Sequence, residues 1–146
     1  MIKEIIAAMA GTVAFSVLFG VPREDYPYCG LIGGMGWAVY RLTAAAGNPA
    51  EASLAATMMV IFLSRLAAVK KHCPATIFLI PGIFPLVPGA GVYGTSYYIV
   101  TDQLGLAVET GYAAVKNAVA IVLGIVFVFE IPQRFFVFLA GRGERR

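Results

Sequence analysis

Five long apolar stretches, separated by short polar or Pro/Gly-rich segments, dominate the chain. They cover residues 5–21, 28–46, 52–69, 76–100 and 113–131. Each is as long as the roughly 17–25 residues that a helix needs to cross the hydrocarbon core of a bilayer. The pattern predicts an all-α integral membrane protein with about five transmembrane helices. It also predicts a single transmembrane domain that covers residues 1–146.

Composition supports the same interpretation. Hydrophobic residues make up 60% of the 146 residues and charged residues 13%, whereas soluble domains average about 45–50% and 25%. A chain of this length cannot bury so much apolar surface in a soluble core. The net charge of +3 needs no nucleic acid partner, because the basic residues are not interleaved with aromatic residues on a polar face.

The basic residues also predict an orientation. Cytoplasmic segments of membrane proteins are enriched in Lys and Arg. With a cytoplasmic C-terminus, the inside segments carry Arg23, Lys70, Lys71, Arg134, Arg142, Arg145 and Arg146. We therefore expect the N-terminus outside and the C-terminus inside.

The fourth stretch contains Pro81, Pro85 and Pro88 within the run IPGIFPLVPGAG. Proline lacks an N–H and clashes with the preceding turn, so these three residues cannot all lie in one continuous helix. A continuous helix would also extend about 37 Å, more than the roughly 30 Å of the hydrocarbon core. We predict two half-helices, 76–84 and 88–100, with Pro81, Gly82 and Pro85 forming the structural break.

This break predicts a binding site. Unwound backbone at membrane depth is tolerated where it is buried in protein or lines a cavity. Free N–H groups after Pro88 would lie at the positive end of a helix dipole, an arrangement that binds substrate carboxylates in secondary transporters. The candidate substrate-binding residues are Pro88, Gly89, Ala90, Gly91, Tyr93, Ser96 and Asn117. The alternative is a proline-kinked helix that only shapes packing.

Other polar positions suggest no catalysis. Intramembrane hydrolysis needs an acid dyad, a Ser–His or Ser–Lys pair, or a His-rich metal cluster, and the single histidine, His72, lies in a basic loop. We expect no catalytic residues, no metal and no cofactor. The charged residues within the stretches lie near their ends, so we expect them to reach the membrane interface: Arg41, Arg65, Lys116 and Glu130.

Small residues four positions apart are typical of contacts between membrane helices. Three such pairs occur, at Gly30/Gly34, Ala7/Gly11 and Ala120/Gly124. Packing within the chain is the first interpretation of each pair. Contact with a second subunit, including a homo-oligomer, is the alternative.

The run IPGIFPLVPGAGVY, with the basic turn and CPATIF before it, resembles the proline-glycine signature of the threonine/serine exporter family. FGVPRE and CGLIGGMGW resemble the membrane region of that family, and the likeness covers essentially the whole chain. It implies the small, membrane-only subunit of a split exporter in the bacterial inner membrane. It also implies a larger partner subunit with a cytoplasmic domain and about five spans. The implied substrates are threonine/serine-like amino acids or dicarboxylates such as succinate.

We therefore expect a multi-pass subunit of a secondary exporter for small hydrophilic metabolites, embedded in the lipid bilayer. Two alternatives stay open at this point. One is a self-sufficient homo-oligomeric channel or transporter, and the other is a scaffold that stabilises a membrane partner without transporting. No carboxylate or histidine lies near the middle of any stretch, so we expect the partner to supply any titrating residue.

Overall fold

The computed structural model describes residues 1–140, and all regular elements in this range are helical. The helices are α1 (Ile2–Leu18), α2 (Tyr26–Ala46), α3 (Pro49–Lys71), α4 (Thr76–Ile83), α5 (Gly89–Val100), α6 (Leu104–Phe129) and α7 (Gln133–Leu139). The all-α prediction is thereby confirmed for these residues. Arg142, Arg145 and Arg146, which contribute to the predicted orientation, lie outside the described residues.

Every predicted stretch corresponds to a helix or to the broken pair. Among the described residues, α3 and α6 are long and apolar enough to cross a membrane, and the bent pair of α4 and α5 gives a third candidate span. The count of five crossings therefore stays a prediction. Two differences concern the C-terminal part: α6 begins at Leu104 rather than at 113, and the apolar pattern does not predict α7.

Helices α1 to α4 form a bundle that depends on glycines of α2. A Cβ added at Gly33 would collide with Thr12 of α1. Gly30 and Gly34 also lie against α1, so this pair packs within the chain. The Ala120/Gly124 pair likewise faces inward, whereas Gly11 of the Ala7/Gly11 pair has open space beside it. The core of the bundle includes the fully buried side chains Cys29, Ala52, Ala56, Val60, Ile61 and Phe78.

The second part of the molecule is a helical hairpin, formed by α5 and the first half of α6 (104–117). Helix α5 packs chiefly against α6. Gly91 approaches Ala114 and Gly94 approaches Thr110, so the two helices lie close together. No residue of α5 is buried, and Val100 is 85% exposed. The described chain therefore leaves most of the hairpin surface uncovered.

The break between α4 and α5 lies where the sequence predicts it. Helix α4 ends at Ile83, the 3-10 turn Phe84–Leu86 follows, and α5 begins at Gly89 at an angle of 47°. Pro81 and Gly82 lie inside α4, one turn before the unwound segment. Phe84 fixes the start of the break because its ring stacks on Phe15 of α1 with the centroids 3.6 Å apart.

Charged side chains mark the two ends of the bundle. At one end Arg41 Nε lies 2.9 Å from Glu4 Oε2, and at the other Lys71 Nζ lies 3.1 Å from Asp25 Oδ1. Arg65 does not extend freely to the interface. Its Nη1 donates to the carbonyl oxygens of Val128 and Ile131 at 2.6 and 2.7 Å, near the end of α6. The guanidinium group therefore adds side-chain hydrogen bonds to the end of α6, where the Val128 carbonyl also accepts from the Ile131 N–H at 3.3 Å.

Candidate functional site

A cavity of about 360 Å³ lies beside the break, and we call it the break cavity. Residues from α2, α3, α5 and α6 and from the unwound segment line it. Its volume falls within the roughly 300–1,000 Å³ that is typical of small-molecule sites. The lining consists of Trp37, Tyr40, Ser53, Pro85, Leu86, Val87, Pro88, Ala90, Gly91, Thr110, Ala113, Ala114 and Asn117.

The first turn of α5 lines part of this cavity and carries backbone donors without acceptors. Gly89 is the first residue of α5, and its N–H donates to the carbonyl oxygen of Val87 at 2.7 Å. The N–H groups of Ala90 and Gly91 have no acceptor within residues 1–140. Two of the three predicted free N–H groups are thus available, at the positive end of the α5 dipole. Such a helix start favours an anion or a carboxylate.

Side chains from the bundle complete the polar part of the lining. The indole Nε1 of Trp37 is buried and has no acceptor in the described part of the chain. Ser53 is only 2% exposed, and no hydrogen bond within residues 1–140 engages its hydroxyl or the Asn117 amide. Thr110 differs, because its hydroxyl donates to the Leu106 carbonyl at 2.7 Å. A buried donor without a partner costs free energy. A ligand that accepts a hydrogen bond from the Trp37 N–H removes this cost and binds more tightly by that amount.

The structure brings only some of the predicted binding residues together. Pro88, Ala90, Gly91 and Asn117 line the break cavity. Gly89, Tyr93 and Ser96 lie on the exposed side of α5. Tyr93 is 73% exposed and stacks on Tyr97, and the Ser96 hydroxyl donates to the Val92 carbonyl of its own helix at 3.0 Å.

Eight lining residues are not among the predicted site residues: Trp37, Tyr40, Ser53, Leu86, Val87, Thr110, Ala113 and Ala114. Trp37 carries one usable signal, because it is the only tryptophan and directly follows the glycine-rich start of the second stretch. Nothing in the sequence places Ser53 opposite the break, since that neighbourhood depends on how α3 packs.

A larger cavity of about 640 Å³ lies between the α3–α4 turn and α7. Arg65, His72, Cys73 and Gln133 are among its lining residues, and it contains none of the predicted binding residues. Burial, with the nearby Asp25 carboxylate, raises the pKa of the Cys73 thiol, so this thiol stays protonated at neutral pH. Within the described residues, no group of three or more His, Cys, Asp or Glu side chains could hold a metal ion.

Membrane-length helices, a broken span and a cavity at the break are features of a membrane transport protein. The sequence model described as Threonine/Serine exporter, ThrE, matches residues 4–131. The chain therefore belongs to the threonine/serine exporter family, and the resemblance of its proline-glycine run is confirmed.

A curated relative is the threonine/serine exporter of Corynebacterium glutamicum. It is 30% identical over 131 residues, which make up 90% of this chain and 27% of the relative. The chain thus spans about a quarter of the length of that protein. No solved structure matches the chain.

Proposed function

We propose that the chain is the small membrane subunit of a secondary exporter and binds a small amino acid or dicarboxylate in the break cavity. The observation that carries this proposal is that three residues with unpaired donors line one cavity. The Ala90 and Gly91 N–H groups come from α5, and the Trp37 N–H comes from α2. Few ligands match three such donors better than a carboxylate.

The remaining polar groups suit the rest of a threonine or serine molecule. Ser53 and Asn117 line the same cavity and can accept hydrogen bonds from an ammonium or hydroxyl group. The relative from Corynebacterium glutamicum is a threonine/serine exporter, which supports this class of substrate. Succinate would use the same donors for one carboxylate and leave the second near Asn117.

The exporter is completed by a larger membrane subunit with a cytoplasmic domain and about five spans. Its support is the resemblance of the proline-glycine run to the threonine/serine exporter family, which implies a split exporter. In the proposed assembly this subunit crosses the inner membrane five times with its N-terminus outside. The end of the bundle with Asp25 and Lys71 then faces the cytoplasm together with Arg134.

Export from loaded cells tests the proposed function. The chain is expressed alone and with its candidate partner, and efflux of threonine, serine and succinate is measured. We expect efflux only from the combination. Efflux from the chain alone would support the homo-oligomer, and an assembly that forms but exports nothing would support the scaffold.

Two variants connect the activity with the cavity. Trp37→Phe removes one N–H while keeping an aromatic ring. We expect the KM for export to rise at least tenfold, because a hydrogen bond to a charged group contributes roughly 1.5–3 kcal/mol. Tyr97→Phe is the matched control, because Tyr97 is exposed on α5 and does not line the cavity. An unchanged KM in Trp37→Phe would contradict the proposed carboxylate site.

A further inference from the structure

The cavity of about 640 Å³ beside α7, which we call the α7 cavity, is lined by the guanidinium-bearing residue Arg65. None of the ion pairs within residues 1–140 includes Arg65, and the exposed Glu130 does not pair with it. Its Nη1 donates to the carbonyl oxygens of Val128 and Ile131. Its Nε and Nη2 have no acceptor in the same range. Two nitrogens of this cation therefore keep their donors for a further partner.

Three neutral polar side chains also line the α7 cavity: His72, Thr76 and Gln133. No hydrogen bond in the described part of the chain engages any of these side chains. Each of them can donate a hydrogen bond. Among residues 1–140, none that lines the cavity is acidic. The lining therefore suits an anion.

The α7 cavity lies at the end of the bundle that carries the Asp25–Lys71 pair. Its lining on α3 runs from Arg65 to His72, which directly follows the last residue of that helix. These positions differ by about 10 Å along the helix axis. Helix α3 is a candidate span, so the cavity covers the depth from the lipid head groups to the start of the acyl chains.

Aromatic side chains beside the cation suit the apolar part of an amphipathic ligand. The rings of Phe136 and Phe129 line the cavity, with their centroids 4.3 and 5.5 Å from Cζ of Arg65. Phe135 and Phe138 are exposed on α7, at 44% and 77%. Exposed phenylalanine side chains at a membrane boundary favour contact with acyl chains over water.

We propose that the α7 cavity binds an anionic phospholipid, with the head-group phosphate on Arg65 and the acyl chains against Phe136 and the exposed side of α7. A guanidinium group matches the oxygens of a phosphate with several donors at once. Basic residues at a membrane surface attract anionic lipid, and Lys70, Lys71 and Arg134 lie at the same end of the bundle. The inference does not rest on the substrate site in the break cavity.

Defined ligands distinguish a lipid from a soluble phosphate compound. The purified full chain in detergent receives phosphatidylglycerol, phosphatidylcholine or glycerol 3-phosphate, and native mass spectrometry counts the bound molecules. We expect phosphatidylglycerol to bind roughly tenfold more tightly than phosphatidylcholine, whose own cation is repelled by the basic end. Equal binding of the two lipids would overturn the inference. Displacement of phosphatidylglycerol by an equal concentration of glycerol 3-phosphate or succinate would overturn the lipid in favour of a soluble anion.

Filling the cavity tests its location without touching the hydrogen bonds of Arg65. Val137→Trp enlarges a lining side chain, and Phe138→Trp is the matched control, because Phe138 is the next residue of α7 and does not line the cavity. We expect Val137→Trp to lower the affinity for phosphatidylglycerol about tenfold and Phe138→Trp to leave it unchanged. Unchanged affinity in Val137→Trp would overturn the proposed site.

A lipid-induced stability shift tests the cation even if its removal weakens the fold. A ligand that binds the folded state raises the unfolding midpoint, so each variant is compared with and without phosphatidylglycerol. We expect the upward shift of the wild-type chain to vanish in Arg65→Gln and to persist in part in Arg65→Lys. Arg134→Gln, at an exposed position outside the lining, should keep the shift. A full shift in Arg65→Gln, or equal losses in Arg65→Gln and Arg134→Gln, would overturn the role of Arg65.

Thiol protection locates the bound lipid. Cys73 lines the α7 cavity, so saturating phosphatidylglycerol should slow its labelling by N-ethylmaleimide several-fold. A Tyr97→Cys variant reports on the distant hairpin, and its labelling should not change. Equal labelling of Cys73 with and without the lipid would place the lipid elsewhere and overturn the inference. None of these measurements involves export, so they test the lipid site separately from the proposed function.

Discussion

The bundle and the hairpin are both rich in apolar residues, but they bury these residues to different extents. In the bundle, side chains such as Val60 and Phe78 are completely buried, and α2 approaches α1 closely through Gly33. In the hairpin, α5 has no buried residue. The bundle therefore holds itself together, whereas the hairpin depends on lipid or another subunit to cover it.

The break cavity lies at the junction of these two regions. Trp37 and Ser53 come from the bundle, and Ala90, Gly91 and Asn117 come from the hairpin. A change in the angle between the regions would move two groups of donors relative to each other. This arrangement is expected of a transporter, in which one part moves against another around a fixed site.

The largest expected effect comes from joining the two regions by a straight helix. Changing Pro85, Pro88 and Gly89 together to Ala lets α4 continue into α5 and removes the free N–H groups at the start of α5. We expect efflux to fall at least tenfold while the chain still inserts, as measured by export from loaded cells and by immunoblotting of membranes. The matched triple change to Ala at Val92, Ile99 and Val100, which are exposed on α5, should leave efflux near normal. Normal efflux from the first variant would contradict a role of the break.

The next effect concerns the attachment of α6 to the bundle. Arg65→Met removes two short charge-assisted hydrogen bonds to α6 carbonyls, and we expect a loss of about 2–3 kcal/mol of stability. Arg65→Lys should recover less than half, because an ammonium group lacks the fork of donors. The thermal unfolding midpoint of the purified protein in detergent measures the change. Arg134→Met, at an exposed position, is the control and should shift stability by less than about 0.5 kcal/mol.

A pair of glycine substitutions compares the regions directly. Gly33→Ala forces a methyl group onto the buried Thr12, and we expect a net loss of about 1–2 kcal/mol from overpacking. Gly105→Ala meets no atom within 4 Å and should gain about 0.5–1 kcal/mol from reduced backbone entropy of the unfolded chain. Both are measured as unfolding midpoints in the same detergent. Equal effects would mean that the two regions do not differ in packing.

The smallest effect is on thiol reactivity. The raised pKa of Cys73 keeps the thiolate scarce at pH 7, and the thiolate is the reactive form. Labelling of Cys73 by N-ethylmaleimide should therefore be slower than that of free cysteine and should rise about tenfold per pH unit between pH 7 and 8. Cys29 is fully buried and should stay unlabelled, whereas a cysteine replacing Tyr97 in the hairpin should react fastest. Labelling of Cys29 before Cys73 would contradict the compact bundle.

The sequence by itself determined the helical class and the position of the break. Long apolar stretches favour helices in a membrane, where every backbone group must be paired within the chain. Proline interrupts a helix through its own backbone, so its effect is local. For that reason the predicted half-helices, 76–84 and 88–100, agree with α4 and α5 to within one residue. Family membership was also readable from the proline-glycine run.

Only the tertiary structure decided which residues meet at the break. Tyr93 and Ser96 share a helical face with Gly89, yet the packing of α5 on α6 leaves that face exposed. Trp37 and Ser53 reach the cavity because α2 and α3 pack beside the unwound segment. Helix α6 extends back to Leu104 because Gly94 and Gly111 allow close contact with α5. Such neighbours lie far apart in sequence, and local chemistry carries no information about the rotation of one helix against another.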